Sequence, residues 1–335
     1  MMTTKPAGLA FLLLLSLAAP VAAEGNTFYR MQLPSPLLVS SGSGPARAEA
    51  TASAGENLDV SSAFSESVWA SDAAKTLLIP EGVTIGSLDP DVPALMTGTA
   101  LGGTLTIVNH GNIHGAGGRP NGGDGGDAIV VQTEGVTIRN AGQVYGGGGG
   151  GGAGGNGGAG AIETVTSEYP PIGFNANATM VVVDEEKTVF RWQGSIVATV
   201  PGNVQSHRVG NYRYERGAYY DTVSSTVVRY RIIRHTIQGF TPTVGGVAGD
   251  GGKGQGHDGP AMSGSLPRTG GAQAGTSGQS GAGGAWGRPG VAGLPGTAGN
   301  IASGLPGLPG GEAGVAIRNA GGTAVIEELE GSDIR

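Results

Sequence analysis

Hydrophobic and polar residues alternate with a period of two in several short stretches of this chain, and two of those stretches are copies of one another. Thr106-Ile107-Val108-Asn109-His110-Gly111-Asn112-Ile113-His114-Gly115 returns 31 residues later as Thr137-Ile138-Arg139-Asn140-Ala141-Gly142-Gln143-Val144-Tyr145-Gly146. In each copy an apolar residue alternates with a polar one, Asn-x-Gly makes a turn, and a second short strand follows. Ile317-Arg318-Asn319-Ala320-Gly321 is a third, partial copy, and Lys75 to Gly86 carries the same alternation at Leu77, Ile79, Val83 and Ile85. Strand-turn-strand units repeated at fixed spacing bury one apolar rung against the next. The pattern therefore predicts a short β-solenoid-like stack that begins near Lys75.

A second alternating region lies at about residues 161–243. It predicts strands over Thr179–Asp184, Thr188–Gln193, Ser195–Val200 and Thr222–Ile237, with Val200-Pro201-Gly202-Asn203 as a type II turn. These elements make a small antiparallel β unit inserted between glycine-rich stretches.

Each strand repeat runs directly into a glycine tract, and 67 of the 335 residues are glycine. Tracts lie at Gly115 to Gly126, Gly146 to Gly160, Gly245 to Gly259 and Gly304 to Gly314, with seven consecutive glycines from Gly146 to Gly152. Elsewhere glycine keeps a period of three: Gly275, Gly278, Gly281, Gly284, Gly287, Gly290, Gly293, Gly296 and Gly299. That period suits a polyproline II type helix, which has three residues per turn and no internal hydrogen bonds. Its backbone groups must pair with other segments, either in a three-chain collagen helix or in one chain folded back as a bundle. The register slips between Gly299 and Gly304, and only Pro289 and Pro295 lie inside the strict run, which favours the bundle. A flexible linker has no need of a period.

Composition narrows the class further. Aromatic residues make up 5% and charged residues 13%, so a conventional core of this length is poorly supplied and backbone pairing has to contribute much of the order. No cysteine is present, which removes disulfides, thiolate catalysis and cysteine metal sites. Residues 1–23 read as a signal-peptide-like leader, with Lys5, an apolar run from Leu9 to Leu17 and Val21-Ala22-Ala23 before Glu24; the run is too short to span a bilayer. The expected organisation is that leader, a flexible or attachment segment at 24–70, β repeats with the first glycine tracts at 71–160, the insert at 161–243, a polyglycine II region at 244–314, and a C-terminal β repeat at 315–335. The fold class expected is mainly β and irregular, built around a polyglycine II bundle.

The stretch from Lys75-Thr76-Leu77-Leu78-Ile79-Pro80-Glu81-Gly82-Val83-Thr84-Ile85 through the two strand repeats and their tracts resembles the glycine-rich tail-fibre and tail-tip proteins of tailed bacteriophages and prophages. The resemblance covers about residues 70–160 and 245–335, including Glu330-Gly331-Ser332-Asp333-Ile334-Arg335. The chain is similar in pattern to the distal tail-fibre adhesins of T-even-like phages, where glycine motifs alternate with variable loops. That resemblance implies a sandwich of polyglycine II helices with receptor-contacting loops at its distal end. It also implies a non-enzymatic adhesin of the virion tail tip, partnered by a tail-fibre or tail-tip protein and by a host outer-membrane protein or lipopolysaccharide. The competing class is a secreted collagen-like or cell-envelope structural protein, exported to the surface, for which the leader is the best argument.

The insert supplies the candidate recognition chemistry. Six of the eight tyrosines lie there, and from Lys187 to Phe240 Lys187 and seven arginines face only Glu215 and Asp221, in a chain of net charge −7. Arginine forks onto phosphates and carboxylates, and tyrosine stacks on sugars and apolar rims. The candidates are Tyr212, Arg213, Tyr214, Arg216, Tyr219, Tyr220, Arg229, Tyr230 and Arg231, together with Arg119 and the Trp286–Arg288 loop. The bland alternative is that arginines such as Arg229 and Arg231 alternate with Val228, Tyr230 and Ile232 on the solvent face of a strand. Gly122 to Val130 fits one calcium β-roll nonapeptide, but a single copy lacks half its ligands, and His110 and His114 share no helix face. No P-loop lysine follows the glycine runs. Asp184, Glu185 and Glu186, or Glu327 and Glu328, have no partner base. Nothing calls for a metal, a cofactor, nucleic acid or a catalytic site.

Overall fold

The period-two segments fold into three parallel sheets that stack as the faces of a short solenoid. The computed structural model describes residues 47–169, 179–183, 186–224 and 227–335. The leader at 1–23, the attachment residues 24–46, Phe174, Asp184 and Glu185 lie outside the described residues. The first coil is β1 (Arg47–Thr51), β2 (Gly55–Glu56) and β3 (Leu58–Asp59); the second is β4 (Ala74–Ile79), β5 (Thr84–Gly86) and β6 (Leu95–Met96); the third is β7 (Leu105–Asn109), β8 (Asn112–His114) and β9 (Ile129–Val131). The fourth opens with β10 (Val136–Asn140) and β11 (Gln143–Tyr145), after which the chain leaves the stack. That excursion holds β12 (Gly160–Glu168), β13 (Thr179–Val183), β14 (Lys187–Trp192), β15 (Ser195–Pro201), β16 (Ser206–Val209), β17 (Tyr212–Ser224) and β18 (Val227–Thr243). The chain returns as β19 (Ile317–Asn319) to finish the fourth coil, and β20 (Ala324–Glu328) and β21 (Asp333–Ile334) form a fifth.

The sheets run β1-β4-β7-β10-β20, β2-β5-β8-β11-β21 and β19-β9-β6-β3, with equivalent residues in register. Ala50, Leu77, Ile107, Ile138 and Ile326 form one column, and Ile85, Ile113, Val144 and Ile334 another. Leu77, Ile107, Ile138, Ile85, Ile113 and Val144 are wholly buried, each contributing about 1.5–3 kcal/mol of transfer free energy. The repeated Asn-x-Gly turns stack as a ladder. Asn109 Nδ2 donates to Asn140 Oδ1 at 2.7 Å, and each Asn Oδ1 accepts from the N–H of the glycine two residues on. A Cβ on Gly142 would lie 2.0 Å from the Gly111 carbonyl oxygen, so the preceding coil, rather than the turn conformation, excludes a side chain there.

Residues 47–70, expected as attachment segment, are the first coil and its cover. Ala48, Ala50 and Ala52 alternate with polar residues in the manner of the other rungs, but as alanines they give a weak sequence signal. Val60, Phe64 and Trp69, from the 3-10 turn Val60–Ala63 and the helix α1 (Glu66–Trp69), pack on the chain's own core, and Trp69 Nε1 donates to Thr99 O at 2.7 Å.

Between the second and third faces each of the first four coils makes an excursion, and its length grows along the stack. The first coil spaces its strands with Asn57 alone, the second with residues 87–94, the third with 115–128 and the fourth with 146–316. The glycine tracts therefore all leave from one corner. Residues 146–160 run outward through the middle of this assembly, and their N–H groups point in three directions in turn. Gly147 and Gly150 donate to Gly126 and Gly123, Gly148 and Gly151 to Gln255 and Gly252, and Gly149 and Gly152 to Arg288 and Val291. A Cβ on any residue from Gly147 to Gly152 would sit 1.8–2.1 Å from a neighbouring carbonyl oxygen. A central segment with neighbours on every side thus needs glycine at every position. A peripheral segment needs it only where it faces inward. Gly290, Gly293, Gly296 and Gly299 meet the carbonyls of Gly150, Ala153, Asn156 and Ala159, while Val291 and Leu294 point out to solvent.

Hydrogen-bond register gives the direction of each segment. Residues 244–257 return toward the solenoid, 262–268 go out, 275–287 return, 290–299 go out and 302–315 return. The turns at 269–274 and 299–302, like the insert, lie at the far end; the turn at 285–289 lies at the solenoid.

The insert is a nearly closed antiparallel sheet ordered β15-β14-β13-β18-β17-β16, with β12 also on β18. Gly202 has φ of 74°, as the type II turn demands. The segment expected as a single strand from Thr222 to Ile237 is the end of β17 and most of β18, which pair with each other through Ser224↔Val227. Ser224-Ser225-Thr226 contains no glycine, proline or asparagine to mark the reversal.

Candidate functional site

The inner face of the insert holds Val182, Phe190, Trp192, Tyr214 and Ile232. Tyr214 is 4% exposed, and its ring lies 6.1 Å from that of Trp192. It is a core residue rather than a surface contact, and burial raises its phenol pKa. Tyr212 shares that face at its rim. The Arg234 guanidinium covers both Trp192 and Tyr212 at 4.8 and 4.7 Å and pairs with Glu168.

Most of the candidate arginines are held by carboxylates or rings. Arg213 donates through Nη1 to Glu215 Oε2 at 2.9 Å, and its Nε lies 3.2 Å from Glu163 as an ion pair without hydrogen-bond alignment. Arg208 also faces Glu163, at 3.5 Å, and lies over Phe240. His235 Nδ1 is 2.8 Å from Ser167 Oγ, and its Nε2 is 3.1 Å from Glu215 without alignment. This network ties β12, β16, β17 and β18 together where the insert joins the glycine bundle. Sequence reasoning missed it because Glu163 and Ser167 precede Arg208 and Arg213 by some forty to fifty residues and meet them only through β12–β18 pairing. Arg216 pairs with Asn203 Oδ1 and lies 4.3 Å over Tyr230. Arg229 donates from Nε to Asp221 Oδ1 at 2.6 Å, which raises its pKa, and covers Tyr220 at 5.5 Å. Tyr219 is 59% exposed and meets Tyr230 edge-on at 6.2 Å. Arg231 is exposed and has no carboxylate partner among the described residues, and the same holds for the half-buried Arg191.

The other two candidates belong to different parts of the molecule. Arg119 donates to Asp91 Oδ2 at 2.9 Å and Asp89 Oδ1 at 2.8 Å, clipping the third coil's excursion to the second's. Trp286 packs on His114 and Tyr145 at 4.8 and 5.5 Å, on the second face of the solenoid. Its turn, expected at a receptor-facing tip, lies at the base, and Gly287 N–H donates to Gly146 O at 3.0 Å. Arg288 is exposed beside it. Tyr145 donates to Asp333 Oδ2 at 2.6 Å; burial first, and that hydrogen bond second, push its pKa up to about 12. Burial likewise lowers the His114 pKa. Asp124 and Asp127 of the nonapeptide accept from the N–H groups of Glu312 and Val315 at 2.8 and 2.9 Å, and Asp127 also pairs with Arg318.

With this geometry in place, the family model for the phage tail fibre adhesin Gp38 matches residues 47–217, more than half of the chain. The chain belongs to the phage tail fibre adhesin family. The matched stretch runs from the first rung of the solenoid through the central glycine segment and into β17. The adhesin is also similar to the gp37-gp38 adhesin tip complex of the bacteriophage S16 long tail fibre, at 16% identity over 84% of this chain and 81% of that one, with a TM-score of 0.34. No curated protein matches it. As a member of this family the adhesin is a tail-fibre component.

Proposed function

We propose that the adhesin is a non-catalytic receptor-binding tip that contacts the host through the insert and the far-end turns, with lipopolysaccharide or an outer-membrane protein as the target. The observation that carries this reading is the common direction of the excursions: every glycine segment leaves one corner of the solenoid, and the insert rides at the opposite end. The three-residue rotation of N–H directions and the absence of bonds within a segment support polyglycine II helices. All of those bonds close within one chain, which speaks against a three-chain collagen arrangement. Close backbone approach lets the bundle serve as a stiff pedestal, since each segment is pinned by two or more neighbours.

The solenoid is then the attachment end. Its fifth coil leaves the outer edge of β20 without a strand partner among the described residues, and Ile326, the end of a column wholly buried at Leu77, Ile107 and Ile138, is 45% exposed. An open edge with exposed apolar residues is where another strand adds, and the fibre protein is the proposed occupant. Saturable binding of the full chain to a panel of bacterial cells tests the receptor reading; absence of binding to every strain that the parent phage infects would sink it.

A further inference from the structure

On the outward face of the insert, one rung crosses four strands with an unusual content. Ile196, Arg191, Thr179 and Arg231 lie side by side on β15, β14, β13 and β18. Opposite Arg231 on β17 stands Gly217, whose absent Cβ would be 3.5 Å from that of Arg231. Two guanidinium side chains thus rise from one face, two strands or about 10 Å apart, with a buried threonine between them and no side chain beyond. The next rung carries Val189, Val181 and Arg229, the last paired with Asp221 and lying over the Tyr220 ring.

Charge bookkeeping makes this pair stand out. Among the described acids nearby, Glu163, Glu168, Glu215 and Asp221 are committed to Arg208, Arg213, Arg234, His235 and Arg229. Residues 169–178, which lead into Thr179, contain no acid at all, and Glu186 precedes Lys187 at the far end of the β13–β14 pair, about 13 Å or more along the strands. In a chain of net charge −7, Arg191 and Arg231 are left facing outward without a carboxylate partner among the described residues.

We propose that this rung is a binding site for a phosphorylated saccharide, with Arg191 and Arg231 gripping one phosphate from two sides and the Arg229–Tyr220 rung carrying the sugar. The inference rests on the receptor-binding reading and names its ligand class. A carboxylate offers two oxygens and is satisfied by a single guanidinium fork, whereas a phosphate monoester offers three strong acceptors and up to two charges, enough for two forks. The rungs beside the pair offer an aromatic face and small apolar side chains, the surroundings in which a sugar ring stacks.

The test measures binding of the full chain to a lipopolysaccharide core oligosaccharide, intact and with its phosphates removed by hydrofluoric acid, with inorganic phosphate as competitor. The variants are Arg191→Gln, Arg231→Gln, the double variant, and Arg288→Gln as an exposed arginine at the base. Dephosphorylation and the double substitution should each weaken binding by about tenfold or more, phosphate should compete, and R288Q should bind like the parent. Near-UV circular dichroism of Trp192 and Tyr214 checks that the double variant keeps its core. Equal affinity for the two oligosaccharides, or a double variant that binds like the parent, overturns the site. If either result comes with undiminished adsorption to host cells, the receptor-binding reading survives its loss.

Discussion

Replacing Gly150 by alanine tests the close packing of the glycine bundle, because the same substitution at Gly239 should act in the opposite direction. A Cβ on Gly150 would lie 1.9 Å from the Arg119 carbonyl oxygen, whereas ordinary contact begins at 3.4 Å. One segment must therefore retreat by about 1.5 Å, too far to keep its hydrogen bonds. The bonds at risk are Gly150 N–H to Gly123 O at 2.7 Å, Gly118 N–H to Gly148 O at 2.8 Å and Gly254 N–H to Gly118 O at 2.9 Å. Each buried group left unpaired costs about 1–3 kcal/mol, so three lost bonds total about 3–9 kcal/mol. That is a large share of a typical domain's stability of roughly 5–15 kcal/mol. At Gly239 nothing lies within 4 Å and the backbone is not left-handed, so alanine should stabilise by about 0.4–1 kcal/mol through the unfolded chain. Amide hydrogen exchange separates the two cases by place as well as size. In G150A, protection should fall at Gly118 and Gly254 and across residues 146–160 and persist in β4, β7 and β10. If G150A keeps full protection in the glycine segments, the close packing of the bundle is refuted.

Other outcomes follow from single contacts. Asn140→Leu removes the buried ladder bond to Asn109 and strands the Gly142 N–H, so chemical denaturation should show a loss of about 2–5 kcal/mol. Trp286→Ala strips the half-buried ring from His114 and Tyr145 and should lower stability by about 1–3 kcal/mol while leaving cell binding intact; lost binding in a folded variant would return that turn to the recognition surface. Tyr145 holds its proton up to about pH 12 in the folded chain, against about 10 when unfolded. Its contribution is therefore full below pH 10 and lost as pH rises from 10 to about 12, and tyrosinate absorbance should show a late transition that Y145F lacks. Ile326→Asp places a charge on the open end of the solenoid and should abolish co-purification with the fibre protein without altering cell binding, where an unchanged complex would exclude the β20 edge as the docking site.

Much of this architecture can be read from the chain because both of its repeats are consequences of stacking. In-register coils place Asn109 over Asn140 and Ile107 over Ile138, so selection for one rung writes nearly the same residues into the next. The third face was not legible, since β3, β6, β9 and β19 have only two or three residues and follow excursions of unequal length; Ile317-Arg318-Asn319, which reads as a copy of the first-face Ile138-Arg139-Asn140, is the third-face strand β19 on β9, and the first-face strand stacked on β10 is β20. Within the insert, Tyr212 and Tyr214 look alike in sequence, yet one lies at the rim and the other is in the core. Alternation gives the face of a strand but not how far the neighbouring strands extend over it.

The glycine patterns contain more than their period. Seven consecutive glycines mark a segment surrounded on all sides, and glycine at every third position marks one that faces the centre on a single side. Those two signatures rank the segments from axis to rim. Counting passages then assigns the turns. Starting outward at Gly146, each tract reverses the direction, so an odd number of passages ends at the far tip and an even number at the solenoid. Residues 275–287 are the fourth passage, which puts Trp286 at the base, while residues 290–299 are the fifth, which puts Asn300 and Ile301 at the tip beside the insert. Trp286 is misplaced when every loop between glycine runs is treated as equivalent. In a bundle that folds back on itself only alternate loops can face a host, and substitutions that redirect receptor choice should therefore fall at 269–274, at 299–302 and in the insert, and spare the turns at 258–261 and 285–289. Selection of phage for growth on a receptor-altered host, followed by sequencing, reads this directly: escape substitutions concentrated in the two base turns would contradict the parity of the fold.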